Sequence, residues 1–277
     1  MRDVVTWDAW LSAHPYLRPA ADLLAVVERA VDAAAPPTVV APPLDGYREE
    51  FDRGVPLLQS TSAAIDLWPV QPAILNVVQA VGSSAEPAGL ADDARSLAAA
   101  LDSDSDSLSV AQIGLLRFFS WKVLARALGP VVVEFSAWRD EERWLRNYCP
   151  LCGAAPAMAQ LAGKDPGRLR LLSCGSCRTR WRFRRTGCPF CDSQHEHRLA
   201  AITVAGESGL RLDHCETCLG YIKTYDGEGS ESVLLADWTS LHLDLLARDR
   251  GLKRRGASLY ELALVEPSHA APGTPYV

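Results

Sequence analysis

Cysteine is absent from the first 148 residues, and all eight cysteines of the chain fall in the 70 residues from Cys149 to Cys218. That asymmetry excludes a disulfide framework spread along the chain and places a change of character near residue 148. Long apolar runs are also absent. No stretch reaches 18 consecutive apolar residues, which argues against a membrane-spanning helix. The opening Met1-Arg2-Asp3-Val4-Val5-Thr6-Trp7-Asp8 lacks the apolar core of a signal peptide, so a cytoplasmic location is expected. Excess positive charge is missing too. The net charge of −6 speaks against a general nucleic-acid binder. No glycine-rich phosphate loop, Ser-His-Asp pattern or paired-carboxylate signature stands out, so no catalytic residue is assigned.

What is present begins with 277 residues, 48% of them apolar, enough for one large domain or two ordinary ones. The first part reads as helical. Apolar residues recur at helical spacing over Ala20 to Val31, and the proline-rich run from Pro36 to Pro43 ends that helix. A second helix is expected to start near Pro72, within Thr61 to Val81, and an alanine-rich one covers Asp92 to Leu101. The Asp-Ser run from Asp102 to Ser107 suits a loop that caps the next helix, Leu108 to Leu128, which stops at Gly129-Pro130. A last helix is expected from Ser136 to Asn147, packing Trp138 and Trp144 against the cysteine-rich part of the chain. His14 and the tryptophans read as loop and packing residues.

Beyond residue 148 the texture is turn-rich, with strands expected at Leu169 to Leu172, Arg180 to Arg184 and Leu199 to Val204. A helix is expected from Val233 to Ala247, then a loosely ordered tail from His269.

The cysteines form four pairs: Cys149-Pro-Leu-Cys152, Cys174-Gly-Ser-Cys177, Cys188-Pro-Phe-Cys191 and Cys215-Glu-Thr-Cys218. A two-residue gap lets one tight turn aim both sulfurs at an ion, and two such turns complete a tetrahedral site. The intervals inside the first and last two pairs are 21 and 23 residues, each fitting a hairpin, while ten residues separate Cys177 from Cys188. The simplest grouping is sequential: Cys149, Cys152, Cys174 and Cys177 for one ion, Cys188, Cys191, Cys215 and Cys218 for the other. Four thiolates suit zinc and also a single iron, the paired spacing fits a mononuclear ion better than an iron–sulfur cluster, and a crossed grouping stays open. His195, His197 and His214 lie near cysteines in sequence and read as surface or supporting residues.

Between Arg139 and Arg185 eleven Lys or Arg residues face four acids. On a strand, Arg178, Arg180, Arg182 and Arg184 share one face, either compensating the thiolate charge or docking an acidic partner. Trp181, Phe183 and Tyr221 keep a second reading open, in which a zinc ribbon stacks on nucleic acid, although residues 186 to 218 hold five acids against two arginines.

The run from Cys174 through Arg185 to Cys188-Pro-Phe-Cys191 resembles the formate dehydrogenase accessory protein family, FdhE. So do Cys149-Pro-Leu-Cys152-Gly153 and Cys215-Glu-Thr-Cys218-Leu219-Gly220-Tyr221-Ile222-Lys223-Thr224. The likeness covers about residues 145 to 226 and is weaker over the helical half. It implies an α+β fold: an N-terminal all-α domain (1–147), two rubredoxin-like or zinc-ribbon-like knuckle subdomains (148–186 and 187–230), and a C-terminal helix and tail (231–277). It implies eight metal-ligating cysteines and two mononuclear ions, with iron favoured. It also implies a cytoplasmic maturation factor acting on the catalytic subunit of a respiratory formate dehydrogenase before export, not an enzyme. The residues expected to contact a partner are Arg180, Trp181, Arg182, Arg184, Arg185, Tyr221 and Lys223.

Overall fold

The structure, a computed structural model, describes residues 11–12, 15, 18–85, 88–103, 108–163, 168–193, 198–205, 209–227, 237 and 239–256. Its helical part comprises α1 (Arg18–Ala34), α2 (Arg48–Arg53), α3 (Gln71–Gly82), α4 (Ala88–Asp102), α5 (Val110–Ala127) and α6 (Gly129–Trp138). Pro72 occupies the first turn of α3, where its missing N–H leaves nothing unsatisfied. Ser109 starts α5 with a reciprocal cap: its hydroxyl accepts from the Gln112 N–H, and the Gln112 side chain accepts from the Ser109 N–H. Gly129-Pro130 ends α5 and at once begins α6, because proline is tolerated in a first turn. Val27, Val31, Val77, Val81, Leu97, Phe119 and Val123 form the buried seam between these helices.

The helix expected from Ser136 to Asn147 is not formed. α6 ends at Trp138, and Arg139 is extended, at φ −74° and ψ 147°. The Arg139 guanidinium instead binds Glu141 and the Arg180 carbonyl of a distant strand. Trp144 turns inward to stack on Phe51, at 5.0 Å between ring centroids. Tertiary contacts override helical propensity here.

One mixed sheet carries the rest. Its strands are β1 (Pro156–Ala162), β2 (Leu169–Cys174), β3 (Arg180–Phe183), β4 (Leu199–Ile202), β5 (Leu210–Cys215), β6 (Gly220–Asp226) and β7 (Lys253–Arg254). The order is β3-β2-β1-β6-β5-β4, with β7 also pairing β6. The two halves of this order are copies of one unit: a cysteine pair, two antiparallel strands, a second cysteine pair, and a third strand. β2 and β5 each end on the first cysteine of the second pair. The copies join head to tail, β1 of the first running parallel to β6 of the second. The strands of the two knuckle subdomains thus join in one continuous sheet.

The buried core continues across residue 147, from the helical part into the cysteine-rich part. A single cluster of buried side chains runs from α1 through Phe51, Phe135 and Trp144 to Cys149, Cys174, Trp181 and Ile222. Backbone bonds reinforce it: Leu57 N–H donates to the Pro150 carbonyl (2.9 Å) and Leu58 N–H to that of Leu151 (2.8 Å). Helix α7 (Leu241–Asp249) lies between β6 and β7 in the chain. Of the expected helix Val233 to Ala247, positions 233–236 and 238 lie outside the described residues, as do Asp104 to Ser107, His14, His195, His197 and the tail from His269.

Candidate metal centres

Each cysteine pair is a turn of the same construction. The residue after the second cysteine has a left-handed backbone in all four: Gly153 (φ 81°), Arg178 (φ 63°), Asp192 (φ 53°) and Leu219 (φ 57°). That conformation brings the chain back on itself. Gly153 N–H donates to the Cys149 carbonyl (2.9 Å), Asp192 N–H to that of Cys188 (3.1 Å), and Leu219 N–H to that of Cys215 (2.8 Å). In return Cys149 N–H donates to Ala154 and Cys188 N–H to Ser193. Glycine marks the first turn in the sequence; arginine, aspartate and leucine give no such signal at the other three.

The turns gather the sulfurs sequentially. Sγ atoms of Cys149, Cys152, Cys174 and Cys177 lie within 4.8 Å of one another, and so do those of Cys188, Cys191, Cys215 and Cys218. In the first group Cys149–Cys177 and Cys152–Cys174 are each 3.5 Å apart. In the second, Cys188–Cys218 and Cys191–Cys215 are each 3.8 Å apart. A tetrahedral ion with metal–sulfur bonds of about 2.3 Å places its sulfurs roughly 3.8 Å from one another, so both sets fit one. The separations are far too long for disulfides, and all eight are free thiols.

Local polarity suits thiolates. Phe190 N–H points at Cys188 Sγ (3.4 Å), Gly220 N–H at Cys218 Sγ (3.3 Å), and the Thr179 hydroxyl lies 3.1 Å from Cys177 Sγ. Burial pushes the Cys149 and Cys188 thiols well up from their ordinary range. Burial also works to raise Cys215, but the backbone N–H groups of Cys218 and Thr217, together with the Cys188 and Cys191 side chains, outweigh it and bring that thiol to about 7. A bound divalent ion favours deprotonation at every ligand. Arg170 is buried, with Nη1 on the Gly187 carbonyl (2.9 Å) beside Cys188, and Arg255 donates to the Cys218 carbonyl (3.0 Å). These cations offset the formal −2 of a four-thiolate ion at the second centre.

The expected partner-contact residues are redistributed. Trp181, Tyr221 and Lys223 are buried, so they drop out of any contact surface. Trp181 Nε1 donates to the Arg146 carbonyl (2.9 Å), packing the knuckle sheet onto the helical part. Tyr221 and Lys223 point into an ionic cluster with Asp244, Asp237 and Arg254. Arg180, Arg182 and Arg184 are half-buried: Arg180 holds Gln160, Arg182 pairs with Glu142, and Arg184 pairs with Asp192. Arg178 has left the strand at its left-handed turn, so the expected four-arginine face is not built. Arg185 remains exposed. With Trp181, Phe183 and Tyr221 all inside, the aromatics expected to stack on bases are closed off from nucleic acid. His214 sits on β5 outside both sulfur groups. The ionic cluster has no counterpart among the motifs, because Asp237, Asp244 and Arg254 are scattered singly along the chain.

Two clusters of four cysteines each, set on a duplicated sheet packed against helices, define a paired-knuckle fold that could hold two metal ions. Residues 148–185 match the family model of the FdhE central domain. The FdhE homolog of Aquifex aeolicus is 32% identical over 142 residues, 50% of this chain and 49% of that protein. The homolog of Pseudomonas aeruginosa is 31% identical over 122 residues, 41% and 39% of the two chains. The match thus spans about half the length of these relatives, or less. The crystal structure of the FdhE protein from Pseudomonas aeruginosa superposes with a TM-score of 0.54 at 22% identity, covering 88% of each chain, and so shares the fold. The resemblance to the FdhE family holds in sequence and in architecture. No helix among the described residues is long and apolar enough to cross a membrane.

Proposed function

We propose that this chain is an accessory factor for a respiratory formate dehydrogenase, acting in the cytoplasm on the catalytic subunit before export and contacting it through the knuckle module. The observation that carries this reading is the pair of closed four-sulfur constellations, in FdhE motif order, on a fold shared with FdhE. Cys149, Cys152, Cys174 and Cys177 would hold one ion, and Cys188, Cys191, Cys215 and Cys218 the other. Zinc there supplies a structural crosslink, and iron adds a one-electron couple. Four protein ligands leave no open coordination position for substrate, so the role is that of a helper and not of an enzyme.

Deleting the gene in its own organism and assaying formate dehydrogenase tests this directly. Activity should fall while the catalytic subunit is still synthesised, and tagged protein should co-purify with that subunit before export. Full activity without the gene, together with no co-purification, sinks the proposal. Metal analysis with an optical spectrum, on protein purified without oxygen, decides between two irons with thiolate charge-transfer bands and two colourless zinc ions.

A further inference from the structure

The two centres share a turn geometry and differ in their surroundings. In the first, Cys149, Cys174 and Cys177 are all but sealed, at 0 to 1% exposure, inside the cluster that contains Trp144 and Trp181. Only Cys152 is half-buried. In the second, Cys191 is exposed and Cys218 half-buried. Those two sulfur ligands open on a cleft of about 440 Å³, walled by Tyr148, Gly153, Pro189, Phe190 and Arg255. Among the described residues the second copy of the duplicated unit has a small core of its own, in which Leu212 and Tyr221 pack against Leu243 and Ala247 of α7.

We propose that the second centre is the exchangeable one, and that Cys191 is the ligand that gives way there. The first centre is then a permanent crosslink of the core. This rests on the reading that each centre binds one ion. A ligand leaves a metal only if something can approach it. For Cys149, Cys174 or Cys177 that requires opening the core, whereas for Cys191 it requires only entry to the cleft. Were Cys191 to leave a bound ion, the electron pair of the broken bond would stay on its sulfur, which would take a proton from water. A competing soft donor, such as a thiolate or a chelator nitrogen, would take its place beside Cys188, Cys215 and Cys218. With an alkyl halide the freed thiolate would instead form a carbon–sulfur bond as halide leaves, and neither course would change an oxidation state. Arg255, on the wall of the cleft, would also draw an anionic competitor toward it.

The test uses the full-length protein loaded with two zinc ions. Challenged with an excess of the chromogenic chelator 4-(2-pyridylazo)resorcinol, it should release zinc in two phases of equal amplitude, one ion leaving long before the other. Iodoacetamide on the same protein, with peptide mapping afterwards, should label Cys191 first and leave Cys149, Cys174 and Cys177 unlabelled while the slow ion remains. Cys191→Ser should accelerate only the fast phase, so a folded variant with one ion retained is itself a supporting result. Release of both ions in a single phase, or first labelling at Cys152, overturns the assignment with the two-ion reading intact. A count of fewer than two ions in the loaded protein overturns both together.

Discussion

Lys223 of β6 meets Asp244 of α7 at 2.7 Å, with both side chains closed off from solvent. The same ammonium lies 2.8 Å from Asp237, and Arg254 reaches both carboxylates at 2.7 Å. Two cations and two anions are balanced inside the protein, and the Tyr221 hydroxyl donates to Asp244 at 2.8 Å. The cluster joins the residues after the last cysteine pair to the sheet. Lys223→Met should remove one cation and leave two buried carboxylates facing Arg254 alone, which costs about 3–5 kcal/mol. Arg184→Ala, breaking an outer pair with Asp192, should cost at most about 1 kcal/mol. Urea unfolding of both variants checks the ranking, and equal losses would remove the cluster from its structural role.

The cluster also gives stability a pH dependence. Burial by itself would raise Asp237, but Arg254 and Lys223 override it and hold the carboxyl well below the usual carboxylate range. A group whose folded pKa is depressed contributes fully above its unfolded pKa, about 3.9, and loses that contribution as pH falls below it. Wild type should therefore exceed Asp237→Asn in stability at neutral pH, with the difference shrinking as the pH drops below about 4. Comparing the two proteins cancels acid release of metal from the thiolates, which both share. A difference that stays constant down to the acid transition would show that Asp237 is not ionised in the fold.

Cysteine replacement separates the centres. With ligands grouped sequentially, Cys174→Ser combined with Cys177→Ser should leave one ion per chain, held by Cys188, Cys191, Cys215 and Cys218. The same pair of changes should lower thermal stability more than Cys188→Ser with Cys191→Ser, because the first centre is part of the main core and the second is not. Metal analysis on both double variants, with their melting temperatures, checks the two statements. Loss of both ions from the first variant would mean that the duplicated sheet folds as one unit.

Much of this was legible in the sequence because cysteine spacing is a local signal. A C-x-x-C can be built by one turn, and the hairpin lengths between pairs leave little freedom in how turns meet. The helices α1, α3, α4 and α5 were legible for the same reason, since their apolar periodicity and end signals are local. What escaped was long-range. Trp144 reads as a helix residue until Phe51 is known to stand opposite it. Lys223 and Tyr221 come just after a cysteine pair and read as surface until Asp237 and Asp244 arrive from beyond the sheet. Strand β1, with Met158, Ala159, Gln160 and Leu161 all buried, shows no alternation, because both of its faces are covered. The parallel β1–β6 joint that fuses two units is likewise invisible to any pattern within either.

The left-handed turn residues offer a last test, because their cost depends on two separable things. Gly153 has φ +81°, and a Cβ there would come within 2.7 Å of Gln59 Nε2 and 3.2 Å of Pro56 Cγ. Gly251 has φ +71°, with nothing within 4 Å of such a Cβ. Gly251→Ala therefore bears only the conformational cost of a left-handed alanine, about 1–2 kcal/mol. Gly153→Ala bears the same cost and also crowds the segment whose Leu57 and Leu58 N–H groups bond to the first knuckle. The Gln59 side chain can swing away, but the Pro56 ring is fixed by its backbone, so the knuckle itself has to shift. The structure thus requires Gly153→Ala to be the more destabilising of the two in urea unfolding, and to speed zinc release from the first centre where Gly251→Ala does not. If the two variants unfold alike and release zinc alike, the contact between the segment at Pro56 and the first cysteine turn is not what holds that turn in place.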